Sequence, residues 1–192
     1  METSASLLER LCSSPDELDW KRLIEVYTPL VRSWIRRYSS SQRDADDVVQ
    51  ETLTVVIRKL PQFERQRTGS FRAWLRSITV NCLRDSWRAS RFQARAPGGS
   101  DFHQVLEQMS DPESELSQLW DREHDDHVLR TLLDQIRPSL NEETWQAFYR
   151  ITVLNESPTD VARELNITVN AVYIAKSRVM GRLRTEARGL IE

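Results

Sequence analysis

Cysteine is nearly absent. Cys12 and Cys82 are the only two, far apart and outside any CxxC or Cys/His spacing, which argues against a disulfide scaffold or a zinc site and predicts two buried thiols. Glycine is scarce too, with 5 in 192 residues; turn dipeptides are few and no stretch sustains an apolar/polar alternation, so strands have little support. No apolar run approaches the roughly 18 to 20 residues of a membrane-spanning helix. The first residues, METSASLLERLCSSPDELDW, lack a basic region ahead of an apolar one, so the expectation is a cytoplasmic protein with no membrane role. Also missing are a Gly-rich phosphate loop, a nucleophile with an adjacent base and a DxDxDG calcium loop. These absences predict a protein that is not an enzyme and uses no cofactor or metal.

What is present is charge, unevenly placed. With 39% hydrophobic and 29% charged residues the chain suits one mid-sized domain or two small ones, and its formal charge is only −2. Residues 20–96 nevertheless hold 16 Lys and Arg against 7 Asp and Glu, net +9, whereas residues 97–143 hold 3 against 12, net −9. A block with nine excess positive charges is an electrostatic footprint for a polyanion. Its acidic neighbour admits two readings: a solvated connection, or a segment that covers part of the basic face in the free protein. Asp101, Glu107, Asp111, Asp121, Glu123, Asp125 and Asp126 are its candidate carboxylates. Among them His124 and His127 stand three apart, a spacing that ordinary helix positions explain better than a metal site.

Helical periodicity dominates. Leu23, Tyr27, Val31, Trp34 and Tyr38 recur at spacings of three and four; so do Ala45, Val49, Leu53, Val56 and Leu60, and then Phe71, Trp74 or Leu75, Ile78 and Cys82. Pro29 should kink the first of these helices or mark its start. After Arg95 the breaker cluster APGGSDFHQ and weakly periodic sequence to Asp111 read as a linker. Pro112 suits the first turn of a further helix with Leu116, Leu119 or Trp120, His127 or Val128, and Leu132 on its apolar side, and another helix should run from about Glu142 to Val153.

Two stretches carry functional information. In DADDVVQE, Asp44, Asp47 and Glu51 share one helix stripe with Gln50 adjoining, while Ala45, Val49 and Leu53 face inward. First-turn aspartates offset the helix dipole and need no further reason; Gln50 and Glu51 lie beyond that turn, where a binding face is the alternative. Downstream, Arg72, Arg76, Asn81, Arg84 and Arg88 lie mostly off the apolar stripe of a basic helix, a pattern suited to phosphates as well as to solvent. Trp74 aligns with the core there, and Trp87 fits either role. Near the end, Ser157 and Pro158 open a short helix and Asn166 suits a left-handed turn. Thr168 caps a second helix packed through Val172, Ala175 or Lys176, Val179 and Leu183. This is a helix-turn-helix, whose second helix would show groove edges Asn170, Tyr173, Ser177 and Arg178.

In order and spacing, LIEVYTPLVRSWIRRY, DADDVVQETLTVVIRKLPQF and GSFRAWLRSITVNCLRDSWR, followed by DVARELNITVNAVYIAKSRV and GRLR, resemble the bacterial sigma-70 family, extracytoplasmic-function (ECF) group. The resemblance implies an all-α chain of two small helical domains: 20–95 like sigma-70 region 2, an acidic flexible linker 96–112, and 113–190 like region 4. It implies a sigma factor that binds core RNA polymerase and directs promoter recognition, melting and transcription initiation, with the polymerase supplying the chemistry. Asp44, Asp47, Gln50 and Glu51 would dock on the clamp helices of the largest subunit. Residues 64–91, with Arg72, Arg76, Asn81, Arg84 and Arg88, would open and read the minus-ten element of promoter DNA and trap a flipped base. Thr168, Asn170, Tyr173, Lys176, Ser177, Arg178 and Arg182 would read the minus-thirty-five element. An anti-sigma factor or other signalling regulator is a further partner that the resemblance allows. The sequence departs from the group's pattern at Tyr173, Ile174 and Ala175, which stand where a basic run is usual; this implies a weaker phosphate grip and suggests contact with thymine methyls. A stand-alone helix-turn-helix regulator is the alternative.

Overall fold

A computed structural model describes residues 6–38, 42–64, 70–93 and 99–191, and among them regular structure is helical throughout, with no strand. Packing divides the chain into two compact units, Ser6–Val128 joined by the residues from Arg188 onward, and Leu129–Ala187.

The first unit begins with α1 (Leu7–Ser13), closed by a capping box in which Ser6 and Glu9 satisfy each other's backbone N–H groups. The next helix, α2 (Glu17–Tyr38), starts a turn and a half before the first periodic position, because Asp16 Oδ1 accepts from the Asp19 N–H at 2.7 Å. It also continues through Pro29 rather than starting there. An interior proline costs about 3 kcal/mol, and Val26, Tyr27, Leu30, Val31, Trp34 and Ile35 around it are all buried, at roughly 1.5 to 3 kcal/mol each. Packing outweighs the lost hydrogen bond. Against α2 lies α3 (Gln42–Lys59), and against α3 lies α4 (Ser70–Gln93).

The stretch expected to be a flexible linker is largely a helix, α5 (Gly99–Ser110), packed on α4. Its apolar positions, Phe102, Val105, Leu106 and Met109, are few but correctly phased: Leu106 and Met109 are buried and the Phe102 ring lies 5.6 Å from that of Trp87. Residues 94–98 of the expected linker lie outside the described residues, as does the side chain of Asp101. A second difference concerns α6 (Glu115–Ile136). The division between units falls inside it, at Val128, and not at residue 113. Its first half belongs to the first unit because Ser117, Trp120, His124 and Val128, one per turn, are fully buried, with Trp120 centred 5.0 Å from Trp34.

The residues after Arg188 complete this unit. Gly189 has φ 85°, a left-handed conformation that favours glycine, and a Cβ there would meet Leu8 Cδ2 at 2.8 Å, so a larger residue would also have to push the Leu8 side chain aside. Leu190 beside it is fully buried.

In the second unit α7 (Glu142–Thr152) is capped by Asn141, whose Oδ1 accepts from the Thr144 N–H at 2.8 Å. It packs with α8 (Pro158–Glu164) and α9 (Val169–Ala187) around Ala147, Ile151, Val161, Ala162, Val172 and Ala175. The turn between α8 and α9 uses Asn166 at φ 55°, as its sequence predicts. Ser157 holds the N-cap of α8, but its side chain makes no capping bond there.

Trp120→Ala in the full chain should lower stability by about 3 to 5 kcal/mol through loss of a fully buried indole. Urea unfolding measures this, and a loss below about 1 kcal/mol would show that the first half of α6 is not part of the first unit's core.

Candidate functional site

The acidic stretch of α3 is two-faced. Ala45, Val48, Val49, Thr52 and Val56 are buried, whereas Asp44, Asp47, Gln50 and Glu51 are exposed. Leu53 is only half-buried, and Val48 and Thr52 share the inward face with the positions the periodicity identifies. Thr52 is satisfied there, donating to the Val48 carbonyl at 2.8 Å. Asp46, on the flank, pairs instead with Arg32 at 3.3 Å and Arg36 at 3.9 Å on α2. The fold therefore leaves Asp47, Gln50 and Glu51 facing outward beyond the reach of the helix-dipole argument.

Asp47 and Glu51 also form one wall of a cleft of about 760 Å³ between α3 and α4. Its opposite wall carries Asn81, Arg84 and Arg88, with Arg58 and Lys59 also lining the cleft. Arg84 is held by Asn81 Oδ1 at 3.1 Å and Ser110 Oγ at 3.3 Å; Arg88 lies 3.7 Å from Asp85 and is largely exposed. Two groups of residues singled out for different partners thus border one cavity.

Arg72 and Arg76 sit elsewhere. Arg76 is 5% exposed and donates to Asp121 Oδ1 at 2.7 Å and to the Ser117 carbonyl at 3.2 Å. Arg72 donates to Asp125 Oδ2 and to the Ile191 carbonyl, both at 2.9 Å, and its Nε lies 3.3 Å from Asp121 Oδ2. In this conformation neither arginine is free to meet a phosphate. The sequence offered a signal for this in the opposed charges of the two blocks, but no register to pair them. The loop 65–69, expected to help open DNA, lies outside the described residues. Trp74 is half-buried, its ring 5.1 Å from Phe63 and 5.5 Å from Phe71.

Beside this pairing His124 is fully buried. Its ring stacks on Tyr27 with centroids 5.7 Å apart, Nδ1 lies 2.9 Å from Asp125 Oδ1 and Nε2 lies 3.4 Å from the Tyr27 hydroxyl. Desolvation pulls its pKa below the ordinary histidine value, against the hydrogen bond and charge of Asp125. His127 points elsewhere, with Nε2 2.6 Å from the Val26 carbonyl.

On α9 the expected polar edge is fully presented. Thr168 caps the helix, its Oγ1 accepting from the Ala171 N–H at 3.1 Å. Asn170, Tyr173, Lys176, Ser177, Arg178 and Arg182 are exposed, and Arg182 reaches Ser139 Oγ at 2.6 Å. Ala175 rather than Lys176 faces the core. Tyr173 and Ile174 are 54% and 50% exposed, as Leu154 and Val153 are elsewhere in the same unit. Sequence reasoning missed Arg150, which bonds Glu156 and, at 2.6 Å, Glu164; these bonds raise its pKa and hold the turn before α8.

The Sigma-70 region 2 model matches residues 23–93. The ECF RNA polymerase sigma factor SigE of Mycolicibacterium smegmatis is 33% identical over 69 residues, 36% of this chain and 26% of that protein, so the match spans about a quarter of the relative's length. The solved structure of CnrH in complex with the cytosolic domain of CnrY aligns over 92% of both chains at 20% identity, with a TM-score of 0.37; at that score it supports no argument about arrangement. Among the described residues no helix is long and apolar enough to cross a membrane.

His124 makes stability depend on pH. Its folded pKa is below the unfolded value of about 6.5, so its contribution is complete above that pH and is lost as pH falls through the folded pKa. The melting temperature of the native sequence should therefore drop more steeply on acidification than that of His124→Gln. Parallel melting curves across the same pH series would remove His124 as the cause.

Proposed function

We propose that this chain is a sigma subunit of the sigma-70 family that binds core RNA polymerase and directs it to promoters; the region 2 match over residues 23–93 and the similarity to an ECF sigma factor support this reading. The observation that carries this reading is the outward face of α3 within the matched segment. Asp47, Gln50 and Glu51 stand exposed there while the opposite face is buried to the last methyl group of Val49 and Val56. With Asp44 they form the handle for the clamp of the polymerase's largest subunit. The large partner accounts for acids that the helix dipole does not.

Promoter contact divides between the two units. In the first, Asn81, Arg84 and Arg88 of α4 face the cleft and supply donors for the minus-ten region, where unpairing costs a few kcal/mol that binding an extruded base offsets. In the second, α8 and α9 form the helix-turn-helix, and Asn170, Tyr173, Lys176, Ser177, Arg178 and Arg182 make up the edge offered to the minus-thirty-five element. Exposed Tyr173 and Ile174 favour thymine methyls over phosphates. The nucleotide chemistry belongs to the polymerase.

Glu51→Arg and Asp47→Arg should each weaken association with core polymerase by at least about tenfold and abolish promoter-dependent transcription in vitro, with the helical content unchanged. Full activity in both variants would leave a stand-alone duplex-binding regulator as the better reading. Arg84→Ala with Arg88→Ala should reduce the slope of log affinity for promoter DNA against log salt by about 1.8, the counterion release of two phosphate contacts. An unchanged slope would exclude both arginines from the DNA interface.

A further inference from the structure

Two carboxylates one turn apart on α6, Asp121 and Asp125, meet two arginines one turn apart on α4, Arg72 and Arg76. Asp121 spans both guanidinium groups, with Oδ1 on Arg76 and Oδ2 near Arg72, as a phosphate lying across the pair would do. We propose that Arg72 and Arg76 are a covered nucleic-acid site, closed in the free protein by the acidic first half of α6 and opened when a DNA strand displaces it. The proposal rests on α4 being a DNA-binding helix.

The match of register argues that the contact is more than general attraction between opposed blocks. Two other carboxylates of the acidic segment have partners away from α4: Glu107 sits by His103 at 3.2 Å, and Glu123 bonds Arg37 at 2.8 Å. The interface around the latch is also incompletely satisfied. Trp120 Nε1 and Trp34 Nε1 are both buried with no acceptor in the protein, and the Tyr27–His124 bond is long at 3.4 Å. Leaving a buried donor unpaired costs about 1 to 3 kcal/mol, so a well-buried helix is held less tightly than its area implies. The Asp121 and Asp125 side chains remain 33% exposed, which leaves their ion pairs open to screening and to competition by a denser anion.

The test uses the full chain and a fluorescein-labelled single-stranded oligonucleotide of random sequence, followed by anisotropy over a salt series. Asp121→Asn with Asp125→Asn should bind about tenfold more tightly at low salt, with a slope steeper by about 1.4 for two added phosphate contacts. Adding Arg72→Gln and Arg76→Gln to that variant should abolish the gain. Glu113→Gln with Glu115→Gln, which removes the same charge from the same segment, should leave affinity within about twofold. An equal gain from the Glu113/Glu115 variant, or a gain that survives loss of the two arginines, overturns the proposal. Should the aspartate variant fail to fold, hydrogen exchange on the unaltered chain decides. Amides of residues 117–128 should lose protection when the oligonucleotide saturates the protein, and unchanged protection overturns the proposal. Arg84→Gln with Arg88→Gln separates the two levels: weaker binding there without a gain in the aspartate variant rejects the latch and keeps the DNA role of α4. No binding by any of these chains rejects both.

Discussion

An α-helix turns about 100° per residue, and this rotation governs what α4 can do. Arg72 and Arg76 differ by about 40° in direction, Arg84 and Arg88 by the same amount, but the second pair is rotated about 120° from the first. No single flat partner can lie against all four. The structure resolves the conflict by giving each pair its own surroundings: α6 carboxylates for Arg72 and Arg76, and an open cleft shared with α3 for Arg84 and Arg88. A count of positive charge treats the four as one face. Helical phase makes them two.

That distinction marks how far the residues speak for themselves. The inward face of α3 and the packing of α9 were legible because their apolar residues recur every three to four positions and end at recognisable caps, Thr168 among them. Asn166 was legible because few residues other than glycine accept a left-handed turn, and it has φ 55°. Helix α5 was obscured by its neighbours. Pro97 and Gly98 precede it, Gly99 opens it and acids interrupt it, so four well-phased apolar side chains were outweighed by composition. The burial of Arg76 was not legible at all. It depends on the register of α6 against α4, which is set by Trp120 and His124 meeting Trp34 and Tyr27 more than 80 residues earlier in the chain. Nor does local sequence say that Gly189 packs on Leu8, a close approach of residues at opposite ends of the described chain.

The aromatic cluster at α6 also explains why acidic charge is tolerated beside a core. Trp120 and His124 fix the backbone of α6, so Asp121 and Asp125, each adjacent to one of them, emerge at the rim, where both remain partly solvated. A fully buried ion pair seldom repays its desolvation, whereas a rim carboxylate bonded to a buried arginine retains water on one side. Arg76 is the asymmetric partner: nearly all its surface is lost, and its two acceptors both come from α6. Any movement of α6 must therefore find Arg76 another acceptor or expose it, and a phosphate oxygen meets that requirement.

The second unit carries the complementary argument. The exposed surface of α9 has four cations, Lys176, Arg178, Arg182 and Arg184, along with two large apolar side chains, Tyr173 and Ile174. So few phosphate contacts provide little of the sequence-independent attraction on which a free regulator depends, because each contributes through counterion release. A weak reading module is useful when something else supplies concentration. If α3 tethers the chain to a polymerase already on DNA, as proposed, α9 would search at an effective concentration set by the assembly rather than by its own affinity. Under that arrangement methyl contacts from Tyr173 and Ile174 discriminate between sequences without adding the nonspecific grip that would hold the subunit elsewhere on the chromosome. Under the proposed function, the basic character of α9 and the acidic face of α3 would be parts of one physical logic, in which affinity comes from protein contacts and selection from DNA contacts.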